Sequence, residues 1–114
     1  MTKITVDQIL SLAKDAGCLV TEQKKFVKIT SPNPNRKALY LGRTKTVLTR
    51  VDISGWEPAE HPAIRPLAKG VNGAVRGQIL PSKDPNITDE MVQEAFSLAL
   101  EGLMSEGSGF KAGV

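Results

Sequence analysis

Between Gln23 and Arg50 stand Lys24, Lys25, Lys28, Arg36, Lys37, Arg43, Lys45 and Arg50, eight of the fifteen basic residues of the chain, and no acid. All twelve acids lie outside that stretch, so a net charge of only +3 conceals a strong separation. A cationic block of this kind attracts phosphate or carboxylate surfaces, and it is the sequence footprint of a nucleic-acid or an acidic protein partner. Two rings, Phe26 and Tyr40, are interleaved with the cations. Cations neutralise a phosphate backbone while exposed rings stack on bases in a sequence-tolerant way. The candidate nucleic-acid-binding residues are therefore Lys24, Phe26, Lys28, Arg36, Lys37, Tyr40, Arg43, Lys45 and Arg50. The competing reading is structural: the lysines solvate a sheet edge and block aggregation, and Phe26, Tyr40 and Leu48 lie beneath other parts of the chain.

Groupings suited to catalysis are scarcer. Asp52-Ile-Ser-Gly-Trp56 sets a carboxylate and a hydroxyl beside a glycine, yet Asp or Ser before Gly is ordinary turn chemistry, because those side chains bond the backbone two residues on. Trp56 is expected to pack over the sheet edge. His61, the sole histidine, sits in Glu60-His-Pro62 with no partner in the local sequence to set its tautomer, and reads as a surface loop residue. Cys18 follows Gly17 and precedes Leu19-Val20, the setting of a small buried hydrophobe rather than a reactive thiolate. One cysteine and one histidine assemble neither an intramolecular disulfide nor a Cys/His metal site. Asp84, Asp89, Glu90, Glu94, Glu101 and Glu106 lack the oxygen-ligand spacing of a calcium loop. Gly70 to Gly77 lacks the Gly-Lys-Ser/Thr ending of a phosphate loop. With no nucleophile, base and orienting group to combine, the sequence predicts a non-enzymatic binding module with no cofactor and no metal.

The elements that must position these residues are legible in part. Thr5 with Gln8 makes a capping box, Val6, Ile9, Leu10, Ala13 and Ala16 share a helical face, and Gly17 closes a helix over residues 5 to 16. From Cys18 to Ile53 the period becomes two, which predicts an antiparallel meander of three to four strands at 19–22, 25–31, 37–43 and 46–53. Gly42 to Lys45 is the expected hairpin turn. Residues 54 to 86 hold five of the seven prolines and read as an irregular crossover, within which the alternation of Val71 to Leu80 predicts a glycine-weakened strand at the sheet edge. Thr88 caps a second helix whose stripe of Val92, Ala95, Phe96, Ala99, Leu100 and Leu103 covers the sheet, with Gly102 or Gly107 ending it.

A chain of 114 residues fits one core, so the expectation is a single α+β domain over 1–104 and a flexible tail over 105–114. Helix, strands, helix resembles the order of double-stranded-RNA-binding domains and small toxin-type RNases. However, Thr88-Asp-Glu-Met91 is acidic where such a binder presents lysines, and no histidine stands on a strand, so no family is assigned. Alternation assigns Val27, Ile29, Leu39, Leu41, Val47, Thr49, Val51 and Ile53 to the face that meets the helices. It assigns Lys24, Phe26, Lys28, Thr30, Ala38, Tyr40, Leu48 and Arg50 to the other face. A lone cysteine, no signal-peptide core and no apolar run of roughly 18 residues predict a soluble, cytoplasmic protein with no membrane partner. The partners expected are nucleic acid or an acidic protein surface, the latter in a regulatory role, with self-association as a further option.

Overall fold

The computed structural model describes residues 4–33, 35–68, 73–81 and 85–105. Its element order is α1 (Val6–Asp15), β1 (Leu19–Glu22), β2 (Phe26–Thr30), β3 (Ala38–Thr44), β4 (Val47–Ser54), β5 (Ile64–Pro66), β6 (Val75–Ile79) and α2 (Asp89–Met104). The strands form one antiparallel sheet in the order β1-β2-β3-β4-β6-β5. Both helices pack on the same side of it, where Ile9, Leu10, Phe96, Leu100 and Leu103 join Val27, Ile29, Leu39, Leu41, Val51, Ile53 and Ile79 in one core.

Local chemistry fixes the ends of α1. Thr5 Oγ1 accepts the Gln8 N–H at 3.2 Å, and Gln8 Oε1 accepts the Thr5 N–H at 2.8 Å, which satisfies two amides that the helix itself leaves unpaired. At the other end Gly17 adopts φ +88, and the Cys18 and Gly17 N–H groups donate to Ala13 O and Lys14 O. This closing motif places Cys18 in the core, where burial pushes its thiol pKa up. Thr88 caps α2 by accepting the Met91 N–H at 3.2 Å.

The opposite end of α2 departs from expectation. Gly102 does not terminate the helix, which continues to Met104. Glycine stands there because Trp56 lies against it: a Cβ on Gly102 would fall 2.5 Å from the indole Nε1. Trp56 thus packs on α2 rather than over the sheet edge. No basic residue occupies the last turn of α2, and Lys37 fills that role from β3's approach. Its ammonium donates to Gly102 O at 3.0 Å, Ser105 O at 3.4 Å and Ser105 Oγ at 3.1 Å. Three acceptors at the negative end of a helix make burial of this charge tolerable.

The sheet is larger than the expected meander. β5 was hidden by Pro62 and Pro66, and it takes the edge position, where Pro66 loses no essential ladder bond. β6 forms at Val75–Ile79 but is interior, between β4 and β5, rather than an edge strand. Buried Arg76 is held there by donating to Gly73 O at 2.7 Å and Val75 O at 3.1 Å. Gly70 to Asn72, and the expected tail beyond Ser105, lie outside the described residues.

One face assignment is reversed by a bulge. Gly42 pairs with Arg50 but Arg43 pairs with Leu48, so Thr49 is an extra residue in β4. The insertion inverts parity: Leu48 is 1% exposed in the core, whereas Val47 is 45% exposed. The start of β4 also bonds the segment before α1, through Val6 N–H to Thr46 O at 2.9 Å and Leu48 N–H to Ile4 O at 3.2 Å. The hairpin loop accordingly falls at Lys45-Thr46, with Lys45 at φ 57, and Gly42 is a strand residue. A side chain at Gly42 would meet Arg50 Cγ at 2.9 Å, so the glycine gives Arg50 its place.

Candidate functional site

Because strand side chains alternate, every core-facing residue leaves its neighbours on the opposite face. No described helix packs on that face, and Phe26 and Tyr40 stand outside the core cluster. The pairing registers align one residue from each strand across it: Thr21, Lys28, Tyr40, Asp52, Gln78 and Arg65. At strand spacings of about 4.8 Å the row extends for about 24 Å. Phe26, Gly42 and Arg50 form the adjacent row.

Contacts within the two rows order the side chains. Phe26 meets Tyr40 edge to face with ring centroids 5.3 Å apart, and the Lys28 ammonium lies 5.7 Å from the Tyr40 centroid. That distance is near the outer limit of a cation–π contact. Gln78 Nε2 donates to Asp52 Oδ1 at 2.8 Å, and Arg50 Nε approaches Asp52 Oδ2 at 3.4 Å. Phe26, Lys28 and Tyr40 remain half-buried and Arg50 and Arg65 exposed. The surface presents two rings, three cations, a carboxylate and an amide on one sheet face.

The candidate residues divide accordingly. Phe26, Lys28, Tyr40 and Arg50 come together on the open face. Lys24 lies exposed in the β1–β2 turn, Arg36 in the β2–β3 loop and Lys45 in the β3–β4 loop. Arg43 follows the parity of Leu41 to the helix side, where it reaches Glu22 at 3.5 Å. Lys37 does not belong to any exposed set, being 6% exposed and engaged with the end of α2. Arg65, Asp52 and Gln78 were missed. Asp52 lies in the fourth strand as expected, but its carboxylate looked like turn chemistry, while Arg65 sits in a proline-flanked segment with no legible period.

His61 is better partnered than its sequence suggests. Its Nδ1 accepts the Ala63 N–H at 3.0 Å, which leaves the proton on Nε2, 3.3 Å from Glu94 Oε2. Glu94 lies with Glu90 and Glu101 on the exposed side of α2, bordering a shallow depression also lined by Leu12 and Leu98. The acids of α2 and the cations of the open face therefore lie on opposite sides of the molecule. Among the described residues no helix is long and apolar enough to cross a membrane.

Comparison of the chain with protein-family models, with curated proteins and with solved structures gives no match. What the fold and the face define is an α+β domain with one sheet face buried under two helices and the other covered by no described helix.

Proposed function

We propose that this chain is a small non-enzymatic binding module that holds single-stranded nucleic acid on the open sheet face. The observation that carries the reading is the placement of Phe26 and Tyr40 in mutual contact on that face, with Lys28 and Arg50 beside them, Arg65 three strands away along the row, and no described helix over them. A half-buried ring on a sheet face still offers a π-face to a base, and nearby cations meet the phosphates between bases. A sheet face suits unpaired bases better than a duplex, whose bases are already stacked. Lys24, Arg36 and Lys45, in loops around the sheet, add to the positive field that draws the strand in. Fluorescence anisotropy with a labelled oligothymidylate or oligouridylate tests the reading: binding of either at low salt, weakening as salt rises, supports it, and binding of neither refutes it.

A second reading is favoured by one specific observation. β1 is an outermost strand, and Leu19 on it is 53% exposed. An edge that no described strand pairs, with an exposed leucine, suits antiparallel pairing with a second copy or another protein's strand, which would make the chain an interaction or regulatory subunit. Sedimentation at increasing concentration distinguishes it: self-association abolished by Leu19→Lys supports edge pairing, and a monomer throughout removes the homodimer.

A further inference from the structure

We infer that the open face selects guanine at the base stacked on Tyr40, with the Asp52 carboxylate as the reader; this rests on the single-strand reading above. A carboxylate is an unexpected group at the centre of a surface meant for phosphate, since it repels the backbone that the cations attract. Its position suggests a different target. Asp52 is the direct cross-strand neighbour of Tyr40, so the edge of a base lying on the ring reaches it without moving the sheet. Its side chain is only 13% exposed, and it is oriented from two sides by Gln78 Nε2 at 2.8 Å and Arg50 Nε at 3.4 Å.

The donor and acceptor pattern of this group is one-sided. An ionised carboxylate only accepts, and each oxygen keeps a lone pair after receiving Gln78 or Arg50. Because Gln78 must turn its NH₂ towards the carboxylate, its Oε1 is presented as a further acceptor beside Asp52. A base edge that satisfies adjacent acceptors must carry adjacent donors. Guanine does so with N1–H and the N2 amino group. Adenine and cytosine place a ring-nitrogen acceptor next to their amino groups, and thymine and uracil flank their single N–H with two carbonyls. For all of these, a lone pair on the base faces a lone pair on the protein, an arrangement that costs binding because polar groups are desolvated without a partner. Lys28, weakly held over Tyr40, can turn to a phosphate when the base takes the ring face. Arg50 partly offsets the carboxylate's repulsion of the backbone.

The test uses the full chain and short oligothymidylates in which one central thymine is replaced by guanine, inosine, adenine or cytosine. The guanine oligomer should bind about 5- to 150-fold tighter than the others, the range expected for one bidentate base contact. Inosine, which lacks the N2 amino group, should lose most of that gain, and this comparison needs no mutant. Asp52→Asn, checked for unchanged thermal unfolding, should abolish the guanine preference, so that the guanine oligomer and oligothymidylate bind the variant alike. Equal affinity for all four substituted oligomers overturns the guanine assignment but leaves the sheet-face reading standing, as does a preference that survives Asp52→Asn. Absence of binding by every oligomer overturns both.

Discussion

Along β2, β3 and β4 the same backbone serves two surfaces of opposite character. Towards the helices, Val27, Ile29, Leu39, Leu41, Val51 and Ile53 are fully buried and make no directional contacts. Towards solvent, Lys28, Tyr40, Asp52 and Arg50 are held by ring contacts, a hydrogen bond and an ion pair. The inner face is specified by apolar area and volume, which accounts for most of the stability of the fold. The outer face contributes little to that term. Its order is of the kind that binding requires, because side chains already placed lose less freedom when a ligand arrives. A substitution on one face should therefore change folding, and one on the other should change association.

The largest separation between the faces is expected at Phe96. Phe96→Ala should destabilise the protein by about 3 to 5 kcal/mol in chemical denaturation, since the ring is completely enclosed between α2 and the sheet. The bulge supplies a sharper contrast within two adjacent residues. Leu48→Ala should cost about 2 to 5 kcal/mol, whereas Val47→Ala should stay within about 0.5 kcal/mol. Equal effects would contradict the contrast, and a larger loss at Val47 would put the two residues on exchanged faces. On the open side, Tyr40→Ala should weaken single-strand binding by about 1 to 3 kcal/mol with little change in melting temperature. A Tyr40→Ala protein that unfolds would assign the ring to the core instead. The smallest effects belong to the helix starts: Thr5→Ala and Thr88→Ala should each lower stability by about 0.5 to 2 kcal/mol by thermal unfolding.

The sequence was most readable where local chemistry decides structure. The capping box at Thr5, the left-handed Gly17 and the cap at Thr88 are set by hydrogen bonds spanning a few residues, and all three stand as expected. Helix stripes and most of the strand alternation were legible for the same reason that burial imposes a period. What failed was decided at long range. The bulge at Thr49 depends on pairing with β3 and on the segment before α1, so simple alternation put Val47 and Leu48 on exchanged faces. Gly102 looked like a helix terminator because the indole that occupies its space comes from residue 56. Lys37 looked like part of a cationic surface because charge in a sequence does not reveal that a helix end lies within reach. Of the candidate site, the pair of rings and Lys28 and Arg50 could be found from period two. Asp52 follows the same period as Arg50, but its carboxylate reads equally as turn chemistry ahead of Gly55; Gln78 and Arg65 could not be found, since they join the row only through the placement of β6 and β5 beside β4.

The most direct test of the open face as a nucleic-acid surface is the salt dependence of oligothymidylate binding, compared between the native chain and the Lys28→Glu/Arg50→Glu variant. Both side chains are partly or fully accessible, so the variant should unfold at nearly the native temperature. The account predicts binding at low salt whose logarithm falls linearly with the logarithm of salt concentration, with a weaker affinity and a shallower slope in the variant because fewer counterions are released. Native and variant proteins binding with the same slope, or no binding by the native chain at low salt, would contradict it.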